Sequence, residues 1–206
     1  MAQIRHIVFD IGSVLIHWDP ELIYLDLIED ADYRKHFLQN ICSPDWNLEQ
    51  DRGRDWTVAE DALIQDHPEL SEWIRAYRKH WIKSVPHAFD DVVDLFQALI
   101  EADHDVTLLT NFNHETLPEA KAKFGFLSKA RGETVSGSIA FVKPDHAIYH
   151  HHTEAFDLEP ARTLFIDDSE KNVVGAREFG WHAVHFAGRE GAAKLATELK
   201  NFGISV

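Results

Sequence analysis

Two kinds of apolar pattern alternate along the chain. The first kind is a short unbroken run. Ile7-Val8-Phe9 stops at Asp10, as a central strand covered on both faces would before it emerges at the edge of a sheet. Asp105 to Asn111 and Thr163 to Asp168 repeat the form, each an apolar run that ends in polar side chains. Glu133-Thr134-Val135 and His182 to Phe186 read as shorter strands. The second kind recurs every three or four positions. Val92, Val93, Leu95, Phe96 and Leu99 mark one helix, and Leu117 to Phe124, ended by Gly125, marks another. Helices are also predicted from Asp145 to about Phe156, from Asn172 to Phe179 before Gly180, and from Ala192 to Lys200. Strands that alternate with helices predict a parallel sheet in an α/β fold.

Residues 18–84 break this alternation, and nothing in them alternates as a strand does. Leu22, Leu25 and Ile28 recur at helical spacing, with Asp19 as the cap of a helix that starts at Pro20. Ser43-Pro44, the turn Asp51-Arg52-Gly53-Arg54 and His67-Pro68 each interrupt the pattern. Thr57 with Glu60 reads as a capping box. Leu70, Trp73, Ile74 and Tyr77 form an apolar stripe, and five of the six tryptophans fall in this segment. Such helices fit burial within their own bundle or against a partner. The expected arrangement is a small helical bundle inserted after the first strand. In the later helix, His150-His151-His152 reads as a solvated face.

Composition narrows the field. A chain of 206 residues that is 45% hydrophobic can bury a sizeable core. A net charge of −15 argues against nucleic acid and anionic membranes as partners, because both need a basic surface. Cys42 is the only cysteine, which excludes an intramolecular disulfide and suits a reducing cytoplasm. No apolar stretch is long enough to span a bilayer, and Asp10 interrupts the N-terminal apolar run too early for a leader peptide.

Charge also poses a problem for any anionic substrate, and the strand ends address it. Asp10, Thr110, Lys143 and the pair Asp167-Asp168 stand at, or just beyond, the carboxyl ends of separate predicted elements. A parallel sheet brings such ends together, at the edge where open α/β sheets bind ligands. Each residue has a plainer reading: Asp10 as a turn cap, Thr110 as a strand-end hydroxyl, Lys143 as solvated, Asp167-Asp168 as caps of the next helix. Together they read otherwise. One carboxylate can act as a nucleophile. Three near one another stay ionised only around a cation, and Mg²⁺ prefers such oxygen ligands. A lysine and a hydroxyl complete a site for phosphate oxygens. The set reads as a Mg²⁺-dependent phosphoryl-transfer centre with a covalent aspartyl-phosphate.

Four segments carry a family resemblance: Phe9-Asp10-Ile11-Gly12-Ser13-Val14, Leu109-Thr110-Asn111, Lys143-Pro144-Asp145 and Phe165-Ile166-Asp167-Asp168-Ser169. In order, spacing and strand context the chain resembles the haloacid dehalogenase-like hydrolases, in the subclass with a helical cap between the first two motifs. The Asp-x-Gly-x-Val form is similar to the subgroup that includes α-glucose-1-phosphate phosphatase. The resemblance implies a Rossmann-like α/β core, residues 1–17 plus 85–206, with a helical cap over 18–84. It implies Asp10 as nucleophile and Asp168, Asp167, Asp10 and the Gly12 carbonyl as Mg²⁺ ligands. Thr110, Asn111, Lys143 and the backbone N–H groups after Asp10, Ile11 first, would bind phosphate. The substrate expected is a small phosphorylated metabolite, such as a sugar phosphate, with Trp18, Trp46 and the Arg52/Arg54 turn as candidate selectors.

One position departs from the pattern. Most phosphatases of the family carry a second aspartate two residues after the nucleophile, as general acid and base, and here that residue is Gly12. A leaving group that needs little protonation, a substitute side chain (His17, Asp19 or His114), or low activity would each account for it. Two other functions stay open at the level of sequence. One is a 2-haloacid dehalogenase, which also lacks that aspartate but does not keep the acidic pair. The other is a low-activity phosphate-binding or regulatory protein.

Overall fold

The computed structural model describes residues 3–205. Five parallel strands form one sheet: β1 (His6–Phe9), β2 (Asp105–Thr110), β3 (Glu133–Val135), β4 (Thr163–Asp167) and β5 (His182–His185). Their order is β3-β2-β1-β4-β5. The chain works outward from β1 to one edge and then returns to β1's other side. The strand order therefore reverses between β1 and β4, the position where such sheets form a ligand crevice. Register puts the chemistry there: Phe9 pairs with Ile166 and with Leu108, so Asp10 leaves the sheet beside Asp167.

The unbroken apolar strands are explained by burial on both faces. Ile7, Phe9, Leu108, Leu164 and Ile166 point to one face, against Val92, Phe96 and Leu99 of α5 (Asp90–Glu101) and Leu195 and Leu199 of α10 (Ala192–Asn201). Val8, Leu109 and Phe165 point to the other. There they meet Ile148 and Tyr149 of α8 (His146–Ala155) and Val173 and Ala176 of α9 (Glu170–Phe179). Each fully buried side chain of this size contributes about 1.5–3 kcal/mol.

Between β1 and α5 run four helices: α1 (Ala31–Asn40), α2 (Pro44–Asp51), α3 (Trp56–Asp66) and α4 (Ser71–Lys79). Their aromatic residues pack on one another. Tyr77 lies 5.4 Å from Trp46 and 5.7 Å from Trp56, ring centre to ring centre. Among the described residues no helix is long and apolar enough to cross a membrane.

Several local expectations need correction. Asp19 does cap a helix at Pro20, accepting from Glu21 N–H at 2.9 Å, but that element is a 3₁₀ turn ending at Ile23. Leu25 beyond it is exposed, so the apolar spacing to Ile28 is not one helical face. α3 is capped by Asp55, whose Oδ1 accepts from Val58 N–H at 3.0 Å, and not by Thr57. Starting there buries Trp56 and leaves Thr57 outside. The triple histidine is not a uniform solvated face. His152 is fully buried between β2 and β3, its Nε2 2.9 Å from Thr107 Oγ1 and its Nδ1 2.8 Å from Thr134 Oγ1. After β3 the chain makes a single helical turn, α7 (Ser136–Ile139), that the pattern did not reveal. α6 (Leu117–Lys123) matches its expected span.

Candidate active site

β1 and β4 deliver two carboxylates to one lysine. Lys143 sits in the segment before α8 and is 2% exposed. Its Nζ lies 2.9 Å from Asp10 Oδ1 and 2.7 Å from Asp167 Oδ2, and donates to the Leu109 carbonyl of β2 at 3.1 Å. The ammonium thus ties three strand ends together. Asp167 is further fixed by the Ser169 N–H, at 2.8 Å from Oδ1, and by the Asn172 side-chain amide, at 3.0 Å. Asp10 Oδ1 also accepts from Ile11 N–H at 2.7 Å.

Electrostatics follow from this crowding. Burial pushes the Asp10 carboxyl up to about 7; Lys143 opposes the rise, and the charges of Asp167 and Asp168 add to it. Burial raises Asp168 as well, with Asp167 next in effect. Burial acts against the charge of Lys143, but Asp10 and Asp167 outweigh it and hold the ammonium above its ordinary value. Lys143 thus pairs with two of the three carboxylates. Oxygens of Asp10, Asp167 and Asp168 lie within 4.8 Å of one another, a hard all-oxygen donor set of the kind Mg²⁺ takes.

A cavity of about 200 Å³ opens above these groups. Asp10, Gly12, Thr110, Asn111 and Asp168 line it from the sheet, and Trp18, Asn47, Asp51 and Trp81 from the inserted helices and their flanks. The structure therefore brings together Asp10, Gly12, Thr110, Asn111, Lys143, Asp167 and Asp168. Two of the groups expected to bind phosphate make hydrogen bonds within the protein. The Ile11 N–H donates to Asp10 Oδ1 at 2.7 Å. The Asn111 amide donates to Lys143 O at 3.0 Å and accepts from Lys143 N–H at 2.8 Å, so it braces the lysine segment.

Among the candidate selectors only Trp18 lines the cavity. Trp46 packs on Trp56 and Tyr77. Arg52 lies 3.5 Å from Glu49 and from Asp145, and Arg54 donates to Gln50 and to the Trp46 carbonyl. The three candidate substitutes for the missing acid lie elsewhere. His17 stacks on His87, Asp19 caps the turn at Pro20, and His114 lines a separate groove beside Leu117 and Lys121. Asp51 was legible only as a turn residue; its sole signal was a carboxylate at a helix end just before Gly53. Burial pushes it up to about 7, helped by Asp10 and opposed by Lys143 and the Asn113 N–H.

Fold and site together define an α/β protein whose chemistry centres on a lysine-bridged carboxylate at the carboxyl edge of its sheet. The haloacid dehalogenase-like hydrolase model matches residues 4–180, and the chain belongs to that family. A predicted HAD-like hydrolase from Porphyromonas gingivalis is similar over 97% of this chain and 98% of its own, with 25% identity and a TM-score of 0.73. A HAD family enzyme from Bacteroides thetaiotaomicron, solved with magnesium and inorganic phosphate, is 24% identical, with a TM-score of 0.72 and coverage of 93% and 98%. L-2-haloacid dehalogenase from Xanthobacter autotrophicus, with chloropropionic acid covalently bound, shares the fold at 20% identity and a TM-score of 0.62, over 98% of this chain and 85% of that one.

Proposed function

We propose that this hydrolase is a Mg²⁺-dependent phosphatase acting on a small phosphomonoester, with sugar phosphates in its range. The observation that carries this reading is the carboxylate trio of Asp10, Asp167 and Asp168, two of them paired with Lys143. Halide displacement from carbon needs no divalent cation, and such a concentration of buried negative charge would serve no purpose in it. The Bacteroides relative, with magnesium and phosphate bound, supports the same reading.

Asp10, Asp167, Asp168 and the Gly12 carbonyl would hold the ion. Bound Mg²⁺ supplies positive charge that offsets the carboxylates and the phosphoryl oxygens. Asp10 is the nucleophile: its free carboxylate oxygen attacks phosphorus in line and becomes an acyl phosphate, which water then hydrolyses. Lys143 keeps Asp10 oriented and offers its charge to the phosphoryl group. Thr110, 1% exposed at the end of β2, presents its hydroxyl to the same group. Asn111 acts by holding Lys143 in place. The helices of 18–84 serve as a cap that shields the acyl phosphate and selects the leaving group, with Trp18 and Trp81 as its apolar walls.

A panel of phosphomonoesters tests the reading. Phosphate release is expected in Mg²⁺ buffer, loss of it in EDTA, and none from Asp10→Asn. Halide release from 2-chloropropionate without added metal would assign the site to the dehalogenases instead.

A further inference from the structure

We propose that Asp51, contributed by the inserted helices, is the general acid and base of this active site, in place of the side chain that Gly12 lacks. This rests on the phosphatase reading above. Three observations carry it. First, Gly12 leaves a gap: a Cβ built there would meet nothing within 4 Å. Second, of the acidic and histidine side chains that line the cavity, Asp10 and Asp168 belong to the nucleophile and metal set, and Asp51 alone remains. Third, Asp51 stands on the correct side. An in-line attack from Asp10, on the sheet, turns the leaving oxygen toward the inserted helices, and Asp51 lines the cavity from there.

Its position is held by the core. Asn113 Nδ2 donates to the Gln50 carbonyl at 2.7 Å and Ser136 Oγ to the Asp51 carbonyl at 2.5 Å. Both donors are buried, just beyond the ends of β2 and β3. Two residues on, Gly53 has φ +102°, and a Cβ there would lie 2.6 Å from the Gly137 carbonyl oxygen, so the turn approaches the core as closely as backbone allows. The carboxyl itself has one partner among the side chains, Asn47 Nδ2, 3.0 Å from Oδ2. Raised to about 7 by burial, it divides between acid and base near neutral pH.

The steps balance. Asp10 carboxylate forms a bond to phosphorus as the bond to the leaving oxygen breaks, and the Asp51 carboxylic acid gives that oxygen its proton, releasing an alcohol. The Asp51 carboxylate then takes a proton from water as the water oxygen bonds to phosphorus. The bond to Asp10 breaks, inorganic phosphate leaves, and both aspartates return to their starting forms.

Phenyl phosphate and p-nitrophenyl phosphate test this, because they share a shape and differ in how much the leaving oxygen needs a proton. With Mg²⁺ present, Asp51→Asn is expected to lower kcat/KM for phenyl phosphate by about 10²–10⁴-fold. The loss for p-nitrophenyl phosphate should be much smaller. That substrate should show a burst of p-nitrophenol, since hydrolysis of the acyl phosphate has lost its base. Adding Gly12→Asp to Asp51→Asn should restore turnover of phenyl phosphate, and Asp51→Ala provides a second background should the asparagine variant misfold. An equal loss on both substrates with no burst and no rescue, or no loss at all, would overturn the assignment while leaving the phosphatase reading intact. A wild-type protein that releases phosphate from neither ester nor from any member of the phosphomonoester panel in Mg²⁺ would overturn both.

Discussion

Lys143 and His152 show how two buried side chains with opposite problems are accommodated. Lys143 keeps its charge because Asp10 and Asp167 face it at 2.9 and 2.7 Å. Replacing it with methionine strands two buried carboxylates, and breaking such a pair costs about 3–5 kcal/mol. Urea unfolding of Lys143→Met in EDTA should show that loss in alkaline buffer, and a smaller one as pH falls and Asp10 takes a proton. His152 stays neutral: burial pushes its imidazole down to about 3, and its two nitrogens meet threonine hydroxyls instead of a carboxylate. The unfolded chain takes up a proton near 6.5 that the folded chain refuses until about 3. Stability is therefore lost as pH falls through that window, by up to about 1.4 kcal/mol per unit from this group. His152→Gln should flatten the acid limb of an unfolding-midpoint profile; an unchanged slope would remove His152 as its cause. In the sequence these two residues differed in legibility. Lys143 stood in a motif beside Pro144, whereas His152 was hidden in a histidine run whose burial only the packing of β2, β3 and α8 determines.

Elements are most legible where a strand is buried on both faces. Each of the three longer apolar runs became a central strand with its polar end at the ligand edge, and the cluster of Asp10, Thr110, Asp167 and Asp168 followed from that alone. The inserted helices were less legible because their starts depend on which of several adjacent cap residues is used, as Asp55 was in place of Thr57. Their contribution to the cavity depends on how they dock, and for that reason the sequence marks Asp51 only as a turn residue. Docking between elements also explains Gly175, inside α9. A Cβ there would lie 2.8 Å from both the Cβ and the carbonyl oxygen of Pro144. Gly175→Ala should cost about 1–3 kcal/mol by overpacking. It should also lower activity more than that loss implies, because the displaced residue adjoins Lys143. Parallel thermal melts and assays would separate the two effects.

At the scale of the whole molecule, a chain of net charge −15 gathers three carboxylates at one sheet edge, and the proposed Mg²⁺ site predicts that the cation stabilises the fold. At a hundred times its dissociation constant, Mg²⁺ should add about 2.7 kcal/mol, a rise in Tm of roughly 5–10 °C for a domain of this size. Asp168→Asn should abolish most of that rise, and differential scanning fluorimetry with and without EDTA reads it independently of turnover. In the proposed reaction phosphate passes through Asp10. Rapid quench of the protein with p-nitrophenyl phosphate and Mg²⁺, followed by peptide mass spectrometry, tests it most directly. A phosphoryl group on the peptide that contains Asp10, removed by hydroxylamine and absent from Asp10→Asn, is the result predicted. Steady release of phosphate with no phosphoryl group on that peptide, in wild type or in Asp51→Asn, would contradict it.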